Sequence, residues 1–242
     1  MKRLSIVIPA YNESACIGTL LEKIAEVDTG PLGFEKEVLV VNDGSTDNTE
    51  HIVRGFESTG VRCFNQVPNQ GKGRAVRRGI HEATGDYILI QDADLEYDPS
   101  DYLTILAALS TGADSVYGSR TLGQLRKNGW SVTPGRHPNQ GFGPWLAGAL
   151  LSVWTALLYA RWIGDTLTAY KLYPAPFIKP LKLETSGFET DHEITARLIR
   201  AGFKITEVPI AYHPRSAKEG KKIKPSDGVI AVWTLLKFRF KP

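Results

Sequence analysis

Apolar and polar positions along the first half of this chain switch between two periods. Residues 4–9 (LSIVIP), 36–41 (KEVLVV), 61–65, 87–91 (YILIQ) and 113–118 are short aliphatic and β-branched runs, the pattern of strands buried on both faces. Between them, apolar residues recur at helical spacing. Residues 14–27 place Ile17, Leu20, Leu21 and Ile24 on one stripe, with Ser14 as the expected N-cap. Residues 46–56, 71–83 and 99–109 follow as helices, the last opened by Pro99. Strands and helices that alternate on short loops predict a parallel sheet covered on both faces. Ligands of such sheets sit at the carboxyl ends of the strands, so the loops after Ile8, Val41, Ile90 and Tyr117 are the informative ones.

Beyond residue 120 the pattern changes. Residues 119–143, rich in Gly, Pro and Arg, read as one long loop of the kind that is often functional. An apolar helix follows over 145–160 (WLAGALLSVWTALLYA). It is shorter than the roughly 20 residues that span a bilayer, so it is expected to be buried or to lie on a membrane surface. Residues 166–173 alternate like a strand, 189–201 form an amphipathic helix, and 203–212 alternate again. A basic loop at 213–225 precedes a last helix over 227–240. With no internal repeat and no low-complexity linker, residues 1–242 read as one domain, a nucleotide-side half (1–120) followed by an acceptor-side half (121–242).

Composition changes this picture little: 242 residues, 42% hydrophobic, net charge +3. The distribution of charge changes it more. Residues 213–242 hold eight Lys/Arg against Glu219 and Asp227, and no carboxylate occurs between Asp114 and Asp165, where Arg120, Arg126, Lys127, Arg136 and Arg161 lie. Both stretches suit anions. Cys16 and Cys63 lack metal-type spacing and fit a reducing compartment. The apolar part of MKRLSIVIPAYNE is too short for a signal peptide.

The strand ends carry the candidate chemistry. In QDADLE (91–96), Asp92 and Asp94 lie two apart where a buried strand stops. Two carboxylates so close suit a hard divalent cation bridging to a diphosphate, or an acidic turn ahead of Pro99. PAYNE (9–13) offers Tyr11 to stack on a base and Glu13 to accept its donors. In NDGS (42–45), Asp43 suits a base or ribose hydroxyl, while Asn42, Gly44 and Ser45 are ordinary turn formers. In NQGKGRAVRRG (69–79), Gly71, Lys72 and Gly73 open a helix whose N–H groups favour an anion, or simply start the helix.

Taken in order, IVIPAYNE, VVNDGSTDNT, NQGKGRAVRRGI, GDYILIQDADLE, GSR, Asp165 with TAYKLY, GFETDHEITARL and EVPIAYHPRSAKEGKKI resemble glycosyltransferase family 2, the inverting GT-A fold, over nearly the whole chain. The subgroup it is most similar to is the dolichyl-phosphate mannose synthases and related polyprenyl-phosphate sugar transferases. The resemblance implies an α/β, Rossmann-like, mostly parallel sheet with a small acceptor-side extension. It implies that Pro9, Tyr11, Glu13, Asp43, Lys72, Asp92 and Ala93 hold a nucleotide diphosphate sugar of GDP-mannose or UDP-glucose type. It assigns Asp92 and Asp94 to Mg²⁺ or Mn²⁺, and Arg120, Arg136 and Arg215 to phosphates. The sequence departs from the subgroup at Asn42, where an acid is frequent, at Glu96-Tyr97, where Gln-His is frequent, and at Ala169, where Gly is common. Within the subgroup, the resemblance is expected to be to members that act as soluble catalytic subunits without a transmembrane tail.

The acceptor is read from the tail. A basic loop beside a basic amphipathic helix suits an anionic membrane surface, with Arg215, Lys221 and Lys222 clamping a lipid phosphate. A solvated loop and a core-packing helix would share the pattern. The expected partners are thus a sugar nucleotide, a polyprenyl phosphate and the cytoplasmic face of a membrane, with a separate membrane-anchoring subunit and no nucleic acid. An ionised phosphate attacks without a strong base, whereas a hydroxyl acceptor needs one, for which Asp191 and Glu193 are the candidates. Alternatives are a family member acting on a sugar or protein hydroxyl, and a nucleotidyltransferase or non-catalytic sugar-nucleotide-binding module.

Overall fold

The structure, a computed structural model, describes residues 1–129, 132–215 and 225–241. Among these, seven strands lie in one sheet: β1 (Lys2–Ala10), β2 (Phe34–Asn42), β3 (Arg62–Asn65), β4 (Tyr87–Ile90), β5 (Ser115–Ser119), β6 (Lys171–Pro174) and β7 (Ile205–Pro209), ordered β3-β2-β1-β4-β6-β5-β7. The helices are α1 (Ile17–Glu26), α2 (Thr49–Arg54), α3 (Lys72–Glu82), α4 (Tyr102–Leu109), α5 (Arg120–Asn128), α6 (Phe142–Tyr159), α7 (Ala175–Ile178), α8 (Thr190–Arg200) and α9 (Pro225–Phe240).

β1 is central because it is apolar on both faces. Leu4, Ile6 and Ile8 face a core closed by α1, α2 and α4, and Val7 faces a second core closed by α3 and α8. The stripe Ile17, Leu20, Leu21 and Ile24 is buried as its spacing predicts. A third cluster joins Leu151 of α6 and Ala196 of α8 to Ala231, Leu235 and Phe238 of α9, so α6 and α9 form a further layer outside α8. Trp154 Nε1–H donates to Val232 O at 3.2 Å and Tyr159 O–H to Leu235 O at 2.7 Å, tying these two helices together.

Several expectations need correction. The segment read as a strand over 166–173 is strand only from Lys171, and β6 runs antiparallel to both β4 and β5 in an otherwise parallel sheet. Apolar alternation reports burial, not direction. The long loop begins with a helix, α5, whose N-terminus is capped by Ser119 Oγ accepting from Leu122 N–H at 3.2 Å. Its polar composition and Gly123 hid it. Ser14 is not the cap of α1, which starts at Ile17; its N–H donates instead to Asp47 Oδ2 at 3.1 Å. α6 is long and apolar enough to cross a membrane by length and composition, but it is not a core helix: only Leu151, Ser152 and Thr155 are fully buried.

Asp101, in the turn before α4, accepts from Ala211 N–H at 2.8 Å just beyond β7. Burial, opposed by that hydrogen bond and helped by nearby Asp98, pushes its carboxyl up to about 6. The folded protein therefore holds a proton there that the unfolded chain, at about 3.9, has lost. Stability falls as pH rises through the interval from about 4 to 6, and the full cost persists above it. Asp101→Asn keeps an oxygen for Ala211 N–H and removes the charge. Denaturant titrations are expected to show it more stable than the parent by about 1 kcal/mol at pH 7.5, after discounting for solvent screening of this half-buried group, with the difference vanishing near pH 4.

Candidate active site

The carboxyl ends of β1, β2, β4 and β5 open onto one cavity of about 1370 Å³. Of the residues assigned from sequence, Pro9, Tyr11, Glu13, Asp43, Lys72, Asp92, Ala93, Asp94, Arg120, Asp191 and Arg215 line it. Arg136 does not, although its neighbours Gly135 and His137 do. Lys221 and Lys222 lie outside the described residues.

The turn after β4 carries the two aspartates, and it is a turn rather than an extended strand. Its backbone is anchored from below. Buried Gln91 donates from Nε2 to Asp92 O at 2.9 Å, while its Oε1 accepts from Tyr102 O–H and Tyr170 O–H, both at 2.6 Å. Leu95 adopts φ 60°, a strained value for a branched side chain, and Asp94 Oδ1 accepts from Glu96 N–H at 3.1 Å to close the turn. Asp92 Oδ1 lies 2.7 Å from Lys72 Nζ, and Asp94 Oδ2 lies 2.8 Å from an Arg215 nitrogen. Burial first, then the charges of Asp92 and Glu96, push the Asp94 carboxyl up to about 6 against the pull of Arg215. Asp92, Asp94 and Glu96 thus stand close together on the cavity wall. Two hard carboxylate oxygens in such a place fit a divalent cation of the Mg²⁺ or Mn²⁺ type.

Three of the residues that line the cavity also have close partners within the chain. Asp43 is closed by the chain itself: Oδ1 accepts from Gln66 Nε2–H at 2.5 Å and Gln70 N–H at 2.8 Å, and Oδ2 from Gly71 N–H at 2.8 Å. These bonds hold the 66–71 loop against β2. Gly44 makes this possible, because at φ 71° a Cβ would lie 2.8 Å from Asn69 N. The α3 N-terminus is not an open anion cradle. Gly71 N–H is taken by Asp43, and Gly73 N–H donates to Ser186 O at 2.7 Å. Lys72 reaches the carboxylates instead, bridging Asp92 and, at 3.9 Å, Asp191. Burial alone would lower its proton affinity, but Asp92 and Asp191 outweigh it and keep the ammonium charged. Glu13 faces Arg215 at 3.2 Å.

Arg120 opens α5 and is gripped by Asp165: Nε–H and N–H both donate to Oδ2, at 2.8 and 2.9 Å, and Nη2 to Oδ1 at 2.6 Å. The guanidinium lies over the Tyr212 ring, 4.9 Å from its centroid. Burial alone would raise the Asp165 carboxyl, but Arg120 holds it lowered. Of the two candidate bases on α8, Asp191 faces the cavity and Glu193 does not. Glu193 is fully buried, accepting from Glu184 N–H, Thr185 N–H and Thr185 O–H and pairing with Arg197 at 2.8 Å. Sequence spacing could not separate two acids on one helical turn; only the partner loop does. Sequence reasoning assigned no role to Gln91, Glu96, Asp165, Tyr212 or Glu207, which order the site. An acid inside an alternating, strand-like segment (Glu207) and one just ahead of another (Asp165) were the available signal.

A mostly parallel sheet with an acid-rich rim at its strand ends and an antiparallel strand in its second half defines the GT-A class of glycosyltransferase fold. The glycosyl transferase family 2 profile matches residues 5–150, more than half of the chain, which therefore belongs to that family. It is 29% identical over 223 residues to a dolichol-phosphate mannosyltransferase of Pyrococcus furiosus, spanning 90% of this chain and 59% of that protein. It is 27% identical over 221 residues to the glycosyltransferase AglJ of Haloferax volcanii, spanning 91% and 66%. The chain thus covers under two thirds of the length of these relatives. Among solved structures, glucosyl-3-phosphoglycerate synthase from Mycobacterium tuberculosis, in complex with Mn²⁺, UDP and glucosyl-3-phosphoglycerate, shares the fold with a TM-score of 0.67 at 22% identity, over 100% of this chain and 81% of that one.

Asp165→Ala leaves the Arg120 guanidinium buried without its carboxylate. Chemical denaturation is expected to show a loss of about 3 kcal/mol, as for other buried pairs broken on one side.

Proposed function

We propose that this domain transfers a hexose, with inversion, from a nucleotide diphosphate sugar of GDP-mannose or UDP-glucose type to a polyprenyl phosphate. One observation carries the reading: the cavity has two chemically different ends. At the strand ends it is lined by Asp92, Asp94, Lys72, Arg120 and Arg215; toward α5 and α6 it is lined by Leu122, Leu125, Pro144, Trp145, Leu151 and Leu167. A charged leaving group suits the first end and an isoprenoid chain suits the second. The naming of the Pyrococcus relative for dolichol phosphate supports the same acceptor class.

Asp92 and Asp94 are the residues that would hold Mg²⁺ or Mn²⁺, which when bound supplies positive charge to the departing diphosphate. Lys72 Nζ pairs with Asp92 Oδ1 at 2.7 Å and fixes its position at the cavity. Arg120, fixed by Asp165, adds a preorganised positive charge near the same end. Arg215 carries a buried Nε–H with no hydrogen-bond partner among the described residues, a donor suited to a phosphate oxygen. An oxygen of the ionised acceptor phosphate attacks the anomeric carbon as the bond to the diphosphate oxygen breaks on the opposite face. No proton has to leave the nucleophile, so no base is required. Asp191, 3.9 Å from Lys72, then acts as a carboxylate that orients rather than abstracts.

A membrane surface is the natural source of such an acceptor. α6 exposes Phe142, Leu146, Leu150, Val153 and Leu157, and α9 exposes Val229, Ile230, Val232, Trp233 and Phe240. These two helices pack together; Lys237 and Arg239 are in the last turn of α9, and Arg161 follows α6. An apolar face with basic neighbours favours binding at an anionic interface.

The test is transfer from labelled GDP- and UDP-hexoses, with and without polyprenyl phosphate. Asp191→Asn is expected to retain transfer to the lipid phosphate within about tenfold, since general-base catalysis is typically worth 10²–10⁴ and is not used here. Loss of transfer with donor binding intact would show that a hydroxyl acceptor and a base are involved. Chelation by EDTA, or Asp94→Asn, is expected to lower turnover at least about 100-fold, the scale of losing one preorganised electrostatic group. Undiminished turnover after both would remove the metal from the reading.

A further inference from the structure

Arg120 stands at the end of β5, and the two strands flanking β5 each place a charged side chain beside it. In the sheet, Tyr117 of β5 is in register with Lys171 of β6 on one side and with Glu207 of β7 on the other. Both side chains converge on the segment 164–166, which carries Asp165. Glu207 Oε2 accepts from Gly164 N–H at 2.7 Å and Oε1 from Asp165 N–H at 2.9 Å. Lys171 Nζ donates to Thr166 O at 3.1 Å. The segment that grips Arg120 is therefore held by an anion on its amide side and by a cation on its carbonyl side.

Lys171 is an expensive choice for that task. Its side chain is fully buried, it has one hydrogen bond among the described residues for three donors, and its other contact is the Tyr117 ring, 5.1 Å from Nζ to the centroid. Burial lowers its proton affinity, and Asp191 and Asp165 restore part of it. An apolar side chain of similar volume would serve the core better than an ammonium with two unused donors. A residue that costs stability in the middle of a sheet points to a role beyond folding.

We propose that Lys171 and Glu207 are positioning residues for the transfer reaction, acting together through the 164–166 segment and Asp165 to fix the Arg120 guanidinium at the leaving-group end of the cavity. The inference rests on the reading of Arg120 as a leaving-group residue, and not on the identity of the acceptor.

The experiment compares Lys171→Met, Glu207→Gln, Arg120→Lys and the two double variants carrying Arg120→Lys. Thermal midpoints are recorded, together with kcat and KM for nucleotide release from the donor. Release is read with and without polyprenyl phosphate, so that failure of the acceptor reading registers separately. Lys171→Met is expected to keep or raise the midpoint while kcat falls at least about tenfold and the donor KM stays within about threefold. Glu207→Gln, which keeps its shape and one acceptor oxygen, is expected to lower kcat in the same way. In the Arg120→Lys background each substitution is expected to cost less than about twofold, because residues acting through one group are not additive. Wild-type kcat in both single variants overturns the proposal. So does a full additive loss in the double variants, or a loss that tracks a fallen thermal midpoint.

Discussion

A carboxylate taken out of water must be met by a cation or by N–H donors, and the rim of this sheet buries many of them. How each is met divides the site into two kinds of acid. Asp43, Glu193 and Glu207 are closed by backbone amides and by neighbouring side chains, and they shape the loops at 66–71, 184–185 and 164–165. Asp92, Asp94, Asp165 and Asp191 face Lys72, Arg215 and Arg120 across the cavity. The first kind makes the second possible, because charges can be set against one another at fixed distances only if the loops carrying them are fixed.

The antiparallel strand β6 joins the two halves of the chain. By pairing with both β4 and β5, it draws residues after 165 into the middle of a sheet otherwise begun by the first 119. Asp165 thereby reaches Arg120 across a sequence separation of 45 residues, and Tyr170 reaches Gln91 across 79. The first and second halves of the chain accordingly share one hydrogen-bonded sheet and one cavity. α6 and α9, stacked outside α8, then carry apolar side chains away from the core and toward whatever covers that layer.

The same geometry ranks the chemical roles. Asp191 and Glu193 sit one turn apart at most, yet the loop at 184–185 closes one and leaves the other in the cavity. Lys72 lies where a phosphate-binding lysine was expected, but its ammonium is directed to two carboxylates. A cation so placed stabilises both carboxylates and sets their positions on the cavity wall. Arg215, by contrast, joins Asp94 and Glu13 from the start of the basic loop, so it links the acid rim to the C-terminal part of the chain.

Much of this was legible in the chain. Short apolar runs and amphipathic stripes specify strands and helices because burial of one face is a local, periodic demand, and the ordered motifs at the strand ends placed Tyr11, Asp43, Asp92, Asp94 and Arg120 on one rim. Pattern alone did not show the direction of β6, the helix at Arg120–Asn128, or the exposure of α6, since each depends on what packs against the segment rather than on its own period. Nor did it show that Asp165 holds Arg120, that Glu193 is sealed, or that Arg136 lies off the cavity. Sequence determined which residues can carry charge at the strand ends; tertiary structure decided which charges meet, because electrostatic pairing depends on distances of a few ångströms between segments far apart in the chain.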